Sequence, residues 1–137
     1  MGARTKARKR ALELLFEAEL REVNVADLLA ERLAAPTTQH PLPDYTAELV
    51  RGVVGRWTAI NEVLSTYSQG WPLERMPAVD RAVLRIAAWE IVWNDEVPDG
   101  VAIAEAVELT QRLSTDDSPK FVNGLLARVS EVKLTLA

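Results

Sequence analysis

The sequence contains no cysteine and a single histidine. Without thiols there is neither a disulfide framework nor a thiolate metal site, which fits a reducing, cytoplasmic setting. With one imidazole, His40, in a proline-rich stretch, nucleophile–base constellations have little to draw on. The six glycines are scattered, and none falls in a GxGxxG or GxxxxGKS/T phosphate loop. No N-terminal apolar run resembles a signal peptide, and no stretch is long enough to cross a bilayer. Met1-Gly2 is not a myristoylation signal, because position 6 is lysine. The acidic pairs Asp95-Glu96 and Asp116-Asp117 suit helix termini or solvent better than a hard cation. No enzyme, metal site or cofactor is expected.

What is present is apolar, helical and unevenly charged. A chain of 137 residues with 48% hydrophobic composition fits a single domain, 1–137, with a proper core. The net charge of −4 hides an asymmetry. Residues 1–10 carry Arg4, Lys6, Arg8, Lys9 and Arg10 with no acid, whereas the other 127 residues hold 11 basic and 20 acidic side chains, a formal −9. A basic arm on an acidic body points to an anionic partner for the arm. The plain alternative is a solubilising, partly disordered terminus.

The stretch DRAVLRIAAWEIVW, 80–93, is the centre of the chain. Ten of its fourteen residues are apolar, so a helix here must be enclosed by other helices. Its exceptions fall on two strips: Arg81 and Arg85 one turn apart, and Asp80 and Glu90 within about 80° of each other. Around it the 3.6-residue period predicts helices over 4–21, 25–34, 44–56, 58–68, 101–113 and from 118 onward. Asn24 and Asp44 are candidate caps, and Ser118 followed by Pro119 is a strong helix start. The stripe Ala47, Val50, Val53, Val54, Trp57, Ile60, Leu64 and Tyr67 would run roughly 36 Å as one helix, too long for so small a domain, so a bend is placed at Gly55. Residues 36–43 read as a linker, and Val97–Gly100 as a turn. Gly124 interrupts an otherwise regular helical period, which suggests close helix–helix approach there.

Arg4 and Arg8 share a helix face, with Lys6, Lys9 and Arg10 on its flanks. Such a cluster contacts phosphates and gives strongly salt-dependent affinity. Lys120 and Phe121 place a cation and a ring in the first turn of a helix, although periodicity alone puts Phe121 in the core.

Three segments together resemble the NusB family of bacterial transcription antitermination factors: RTKARKRALELLFEAEL, DRAVLRIAAWEI and VAIAEAVELTQRLSTDDSPKFVNGLLARV. The most specific part is DSPKFVNGLL, and the resemblance covers essentially the whole chain in order. It implies an all-α fold of about seven helices in two small packed bundles. It also implies a non-enzymatic role: pairing with NusE, a ribosomal small-subunit protein, and binding boxA RNA so that the RNA polymerase elongation complex resists termination, notably on ribosomal RNA operons. The family's RNA-binding start matches Arg4, Lys6 and Arg8, extended here by Lys9 and Arg10. Its second RNA region matches Asp117, Ser118, Lys120 and Phe121, which implies partial exposure of Phe121. Asp80 and Glu90 are the candidates for the NusE-facing edge, since an acidic strip suits a basic partner. Thr5, Phe16, Trp89 and Ala104 depart from residues common in the family at those places. Monomer and homodimer are both compatible with the resemblance.

Two other readings compete. A related helical domain precedes the catalytic domain of some RNA cytosine methyltransferases, a domain these 137 residues do not contain. A generic DNA-binding helical regulator would want a basic second helix, whereas the candidates here are acidic.

Overall fold

The computed structural model describes residues 2–35 and 41–136. His40 and most of the linker assigned to 36–43 lie outside them. Among the described residues there are seven α-helices and no strand: α1 (Ala3–Arg21), α2 (Val25–Ala34), α3 (Asp44–Gly55), α4 (Trp57–Tyr67), α5 (Ala78–Trp93), α6 (Asp99–Leu113) and α7 (Ser118–Val132). Short 3-10 turns sit at Leu73–Arg75 and Lys133–Thr135.

α1, α2 and α3 pack on one another as a first bundle; α4, α6 and α7 form the second with α5. α5 touches α1, α3, α4, α6 and α7, and every residue from Ala82 to Ala88 is buried. This is the enclosure that an all-round apolar helix requires. Its basic strip ties it to α1. Arg81 pairs with Glu19 and donates to the carbonyls of Leu73, Glu74 and Met76, while Arg85 Nη1 lies 3.8 Å from the same Glu19.

Helix entry follows local chemistry. Asn24 Oδ1 accepts from the backbone N–H of Ala26 at 2.8 Å and Asp27 at 3.4 Å, satisfying donors that α2 cannot satisfy itself. Asn24→Ala should therefore cost about 1 kcal/mol in stability, read as a lowered urea midpoint at unchanged slope. Pro43, Pro77 and Pro98 hold the N-cap positions of α3, α5 and α6, where an extended backbone with φ between −60° and −54° suits the pyrrolidine ring. Asp44 is thus the first helical residue rather than a side-chain cap, favourable there for the helix dipole. α6 likewise starts at Asp99, two residues before the expected position. Asp117 stands at the cap of α7, and Ser118 opens the helix.

One expectation about packing fails. Among the described residues a Cβ at Gly124 would meet only the Arg128 guanidinium, at 3.5 Å, and no other helix presses against that position. The tight approach is at Gly52, where a Cβ would overlap the Trp89 indole of α5. The stripe through α3 and α4 breaks within one residue of the bend placed at Gly55. The chain turns at Arg56, and Val54 and Trp57, on either side of the turn, remain 37% and 40% exposed.

Candidate nucleic-acid interface

The basic arm is the start of α1, helical from Ala3, so a disordered terminus does not describe these residues. Its five cations divide by direction. Lys6 and Lys9 are exposed and enter no ion pair among the described residues. Arg10 is half-buried, 3.7 Å from Glu13. Arg4 is exposed, with its guanidinium 4.5 Å from the Tyr45 ring centroid and 3.4 Å from Glu96.

Arg8 is different: it is 3% exposed. Its Nε donates to both oxygens of Glu90 at 3.2 and 3.0 Å, its Nη2 lies 3.0 Å from Glu90, and its Nη1 lies 3.3 Å from Glu105. Burial pushes the Arg8 pKa down, but the hydrogen bond and charge of Glu90, with the charge of Glu105, outweigh it and hold it above its ordinary value. The Tyr45 hydroxyl donates to the same Glu90 carboxylate at 2.5 Å and accepts from Asn94 Nδ2 at 3.2 Å. Burial and the bond to Glu90 raise the Tyr45 pKa far above its usual value, so this hydroxyl keeps its proton. Arg8 is therefore a structural cation and not a phosphate contact, a correction to the reading of the arm. Arg4 and Arg8 do share a face, but only Arg4, one turn nearer the helix start, reaches the surface from it.

The acidic strip of α5 is corrected for the same reason. Glu90 is 1% and Asp80 0% exposed, so neither forms a partner-facing edge. Asp80 accepts from Ser114 Oγ at 2.6 Å and from Ser118 Oγ at 2.8 Å, and the two serine oxygens are 3.1 Å apart. Asp80 thereby fastens the end of α6 to the start of α7. Ser118 is 1% exposed with its hydroxyl spent on this junction, and it too is removed from the surface set.

What the junction presents outward is the rest of the second region. Asp117 and Lys120 are exposed, and Phe121 is half-buried, edge-to-face on Trp71 with ring centroids 4.5 Å apart. The core position that periodicity alone suggested for Phe121 holds only in part. α6 joins the two regions. Its Glu105 accepts from Thr5 at 2.6 Å and pairs with Arg8, whereas Ser114, nine residues on, belongs to the Asp80 junction. The spacing along α6 is about 14 Å. Between them Glu108 is neutralised by Arg112 at 2.7 Å. Among the described residues no group of three or more His, Cys, Asp or Glu side chains is placed to hold a metal ion.

Sequence reasoning missed Tyr45, Asn94 and Ser114, which come from distant segments. One signal for Arg8 was present: it lies in register with Leu12, Leu15 and Glu19 on the face that α1 turns to α5.

Residues 5–131 match the model of the NusB family. A transcription antitermination protein NusB of Kineococcus radiotolerans is 56% identical over 137 residues, covering 100% of this chain and 99% of its own. The solved NusB of T. maritima superposes with a TM-score of 0.81 at 31% identity, over 98% of this chain and 99% of that one. A NusB solved with NusE and double-stranded RNA has the same fold, with a TM-score of 0.79 at 23% identity over 94% and 96% of the two chains. The chain belongs to the NusB family.

Proposed function

We propose that this protein is a transcription antitermination factor that pairs with NusE and holds boxA RNA of nascent transcripts, so that RNA polymerase resists termination. The observation that carries the reading is the exposed pair Lys6 and Lys9 on the first turns of α1, flanked by the exposed Arg4 and the half-buried Arg10 and set on a strongly acidic body. Lys120 and the half-buried Phe121 continue this set at the far end of α6. The family name of its 56%-identical relative supports the same role. The protein works as one unit in the cytoplasm, without catalysis.

In this reading the cations bind phosphates by releasing counterions, which supplies affinity without sequence information. Phe121, held by Trp71, offers ring surface for an unstacked base, and its neighbour Lys120 a cation for the adjoining phosphate. Asp80 acts from behind the surface by fixing the backbone that carries Asp117, Lys120 and Phe121. The basic partner is met by exposed acids instead of the buried Asp80 and Glu90.

Titration of labelled boxA RNA and a scrambled RNA, with and without NusE, tests the assignment. BoxA should bind more tightly, NusE should strengthen that preference, and affinity should fall as salt rises. Equal binding to both RNAs, indifferent to NusE, would overturn it. Neutralising Lys6 and Lys9 together should lower the log–log salt slope by roughly 0.7 per lost phosphate contact. An unchanged slope would move the RNA surface elsewhere.

A further inference from the structure

At the opposite end of α1 from the cations, the chain turns into α2 through Glu22 and Val23, close to where α3 turns into α4. These turns and the first half of α5 enclose a groove of about 520 Å³. Leu15, Ala18 and Ala82 line it, with Val25, Val54 and Trp57. The partial exposure of Val54 and Trp57 is exposure to this groove, and Val23 beside them is 41% exposed. Contiguous exposed apolar surface of this kind marks an interaction site more often than a scatter of single residues does.

The charged lining of the groove is unbalanced. Arg81, Arg85, Glu19 and Glu74 all border the groove. Arg81 is saturated by Glu19 and three backbone carbonyls. Arg85 is not. Its Nε donates to Asn61 Oδ1 at 3.0 Å, Glu19 stands 3.8 Å from Nη1, and the guanidinium lies 4.2 Å from the Trp57 ring centroid. Burial pushes the Arg85 pKa down, Glu19 opposes this only in part, and Arg81 adds to it. Glu74 is exposed, and its backbone carbonyl rather than its carboxylate is what Arg81 engages. Two guanidinium groups thus share one carboxylate beside an apolar cleft.

We propose that this groove docks a protein segment presenting two or three apolar side chains and one carboxylate, the carboxylate pairing with Arg85 and the apolar groups lying against Trp57, Val54 and Val25. The cleft falls within the roughly 300–1000 Å³ typical of pockets that enclose a ligand. An amphipathic helix laid in a groove delivers such a set from positions i, i+3 or i+4, and i+7. The incoming carboxylate completes the guanidinium fork that Glu19, committed to Arg81, leaves open. A basic segment would instead meet two guanidinium groups, a like-charge penalty. Nucleic acid suits the site poorly, because the Trp57 face that a base would stack on already carries Arg85. The groove and the arm are separate: Arg4 and Leu15 are about 16 Å apart along α1.

Selection of a random peptide library on the full chain, with Val54→Arg as the counter-target, tests this. Val54 is part-exposed, and circular dichroism verifies that the variant keeps its helices. Enriched peptides should combine apolar residues with Asp or Glu. Changing that carboxylate to an amide, or using the Val54→Arg protein, should weaken a selected peptide about tenfold or more, the loss of a hydrogen bond to a charged group. Peptide binding should shift tryptophan emission in the wild type and not in Trp57→Phe. Enrichment of basic peptides, or none beyond the counter-target, would overturn the proposal. So would a concentration-dependent dimer abolished by Val54→Arg, which would assign the groove to a second copy, or quenching at Trp57 by boxA RNA. RNA binding by Val54→Arg should equal wild type, so this test fails or succeeds independently of the antitermination role.

Discussion

Arg8→Met should destabilise the protein by about 3–5 kcal/mol, whereas Lys9→Met one residue away should change stability by less than about 0.5 kcal/mol. The contrast follows from direction alone. Removing Arg8 leaves the Glu90 carboxylate 1% exposed, with only the Tyr45 hydroxyl of its side-chain donors to hold it. A buried charge without its counter-ion is among the most damaging changes a core can receive. A loss of that size lowers the melting temperature by roughly 10 °C or more in a domain of this length. The double variant Arg8→Met/Glu90→Leu removes both charges, and it should recover much of the loss, because a buried ion pair is often no better than well-packed apolar groups of similar volume. Thermal melts of the two singles and the double form a cycle with a large coupling energy. If Arg8→Met were as harmless as Lys9→Met, Arg8 would not be holding α1 to α5. The same series separates structure from binding: under the proposed reading Arg8 variants should lose RNA affinity only as they unfold, and Lys6 and Lys9 variants should lose it while folded.

Gly52→Ala should destabilise by about 1–3 kcal/mol or more, the range for overpacking a filled site. A helical propensity argument gives the opposite sign, since alanine in a helix interior is favoured over glycine by about 1 kcal/mol. The overlap decides between them: the new methyl would occupy the space of the Trp89 indole, and an indole is not the free end of a flexible side chain. Trp89→Leu alone should also destabilise, through lost packing, but combined with Gly52→Ala the penalties should not add, because the leucine vacates the space the methyl needs. Gly124→Ala is the control. Its methyl would meet only the Arg128 side chain at ordinary contact distance, so it should be neutral or mildly stabilising. Urea unfolding of the four variants settles the order.

Helix positions were legible in the sequence because the period of apolar residues is a local property. α2 runs over the expected residues, and α1, α4 and α7 agree to within one residue where bounds were given. The all-α architecture and the buried post at α5 follow from the same periodicity. The direction of the charged groups was not legible. Glu90 and Arg8 are 82 residues apart in the chain; the register of Arg8 with Leu12 and Leu15 hints at its direction, but nothing local names the carboxylate it meets. Counting five cations in ten residues found the arm, yet it could not say that one of the five is its anchor. Asp80 was misread similarly, since its partners Ser114 and Ser118 are brought to it only by the turn between α6 and α7. The glycines show the limit from another side: Gly124 drew attention through its sequence context, while the close approach at Gly52 depends on a tryptophan from another helix.

The Arg8 anchor has a thermodynamic corollary for the surface it supports. An arm that became helical only on meeting RNA would spend roughly 1–2 kcal/mol per residue on ordering its backbone. Here Ala7 and Arg8 are already buried, Thr5 is tied to Glu105, and Arg4 rests on Tyr45. That entropy is lost once, when the chain folds, and is not charged again to each binding event. In the proposed reading Lys6 and Lys9 would meet RNA from a fixed backbone, with only their side-chain rotamers left to be ordered.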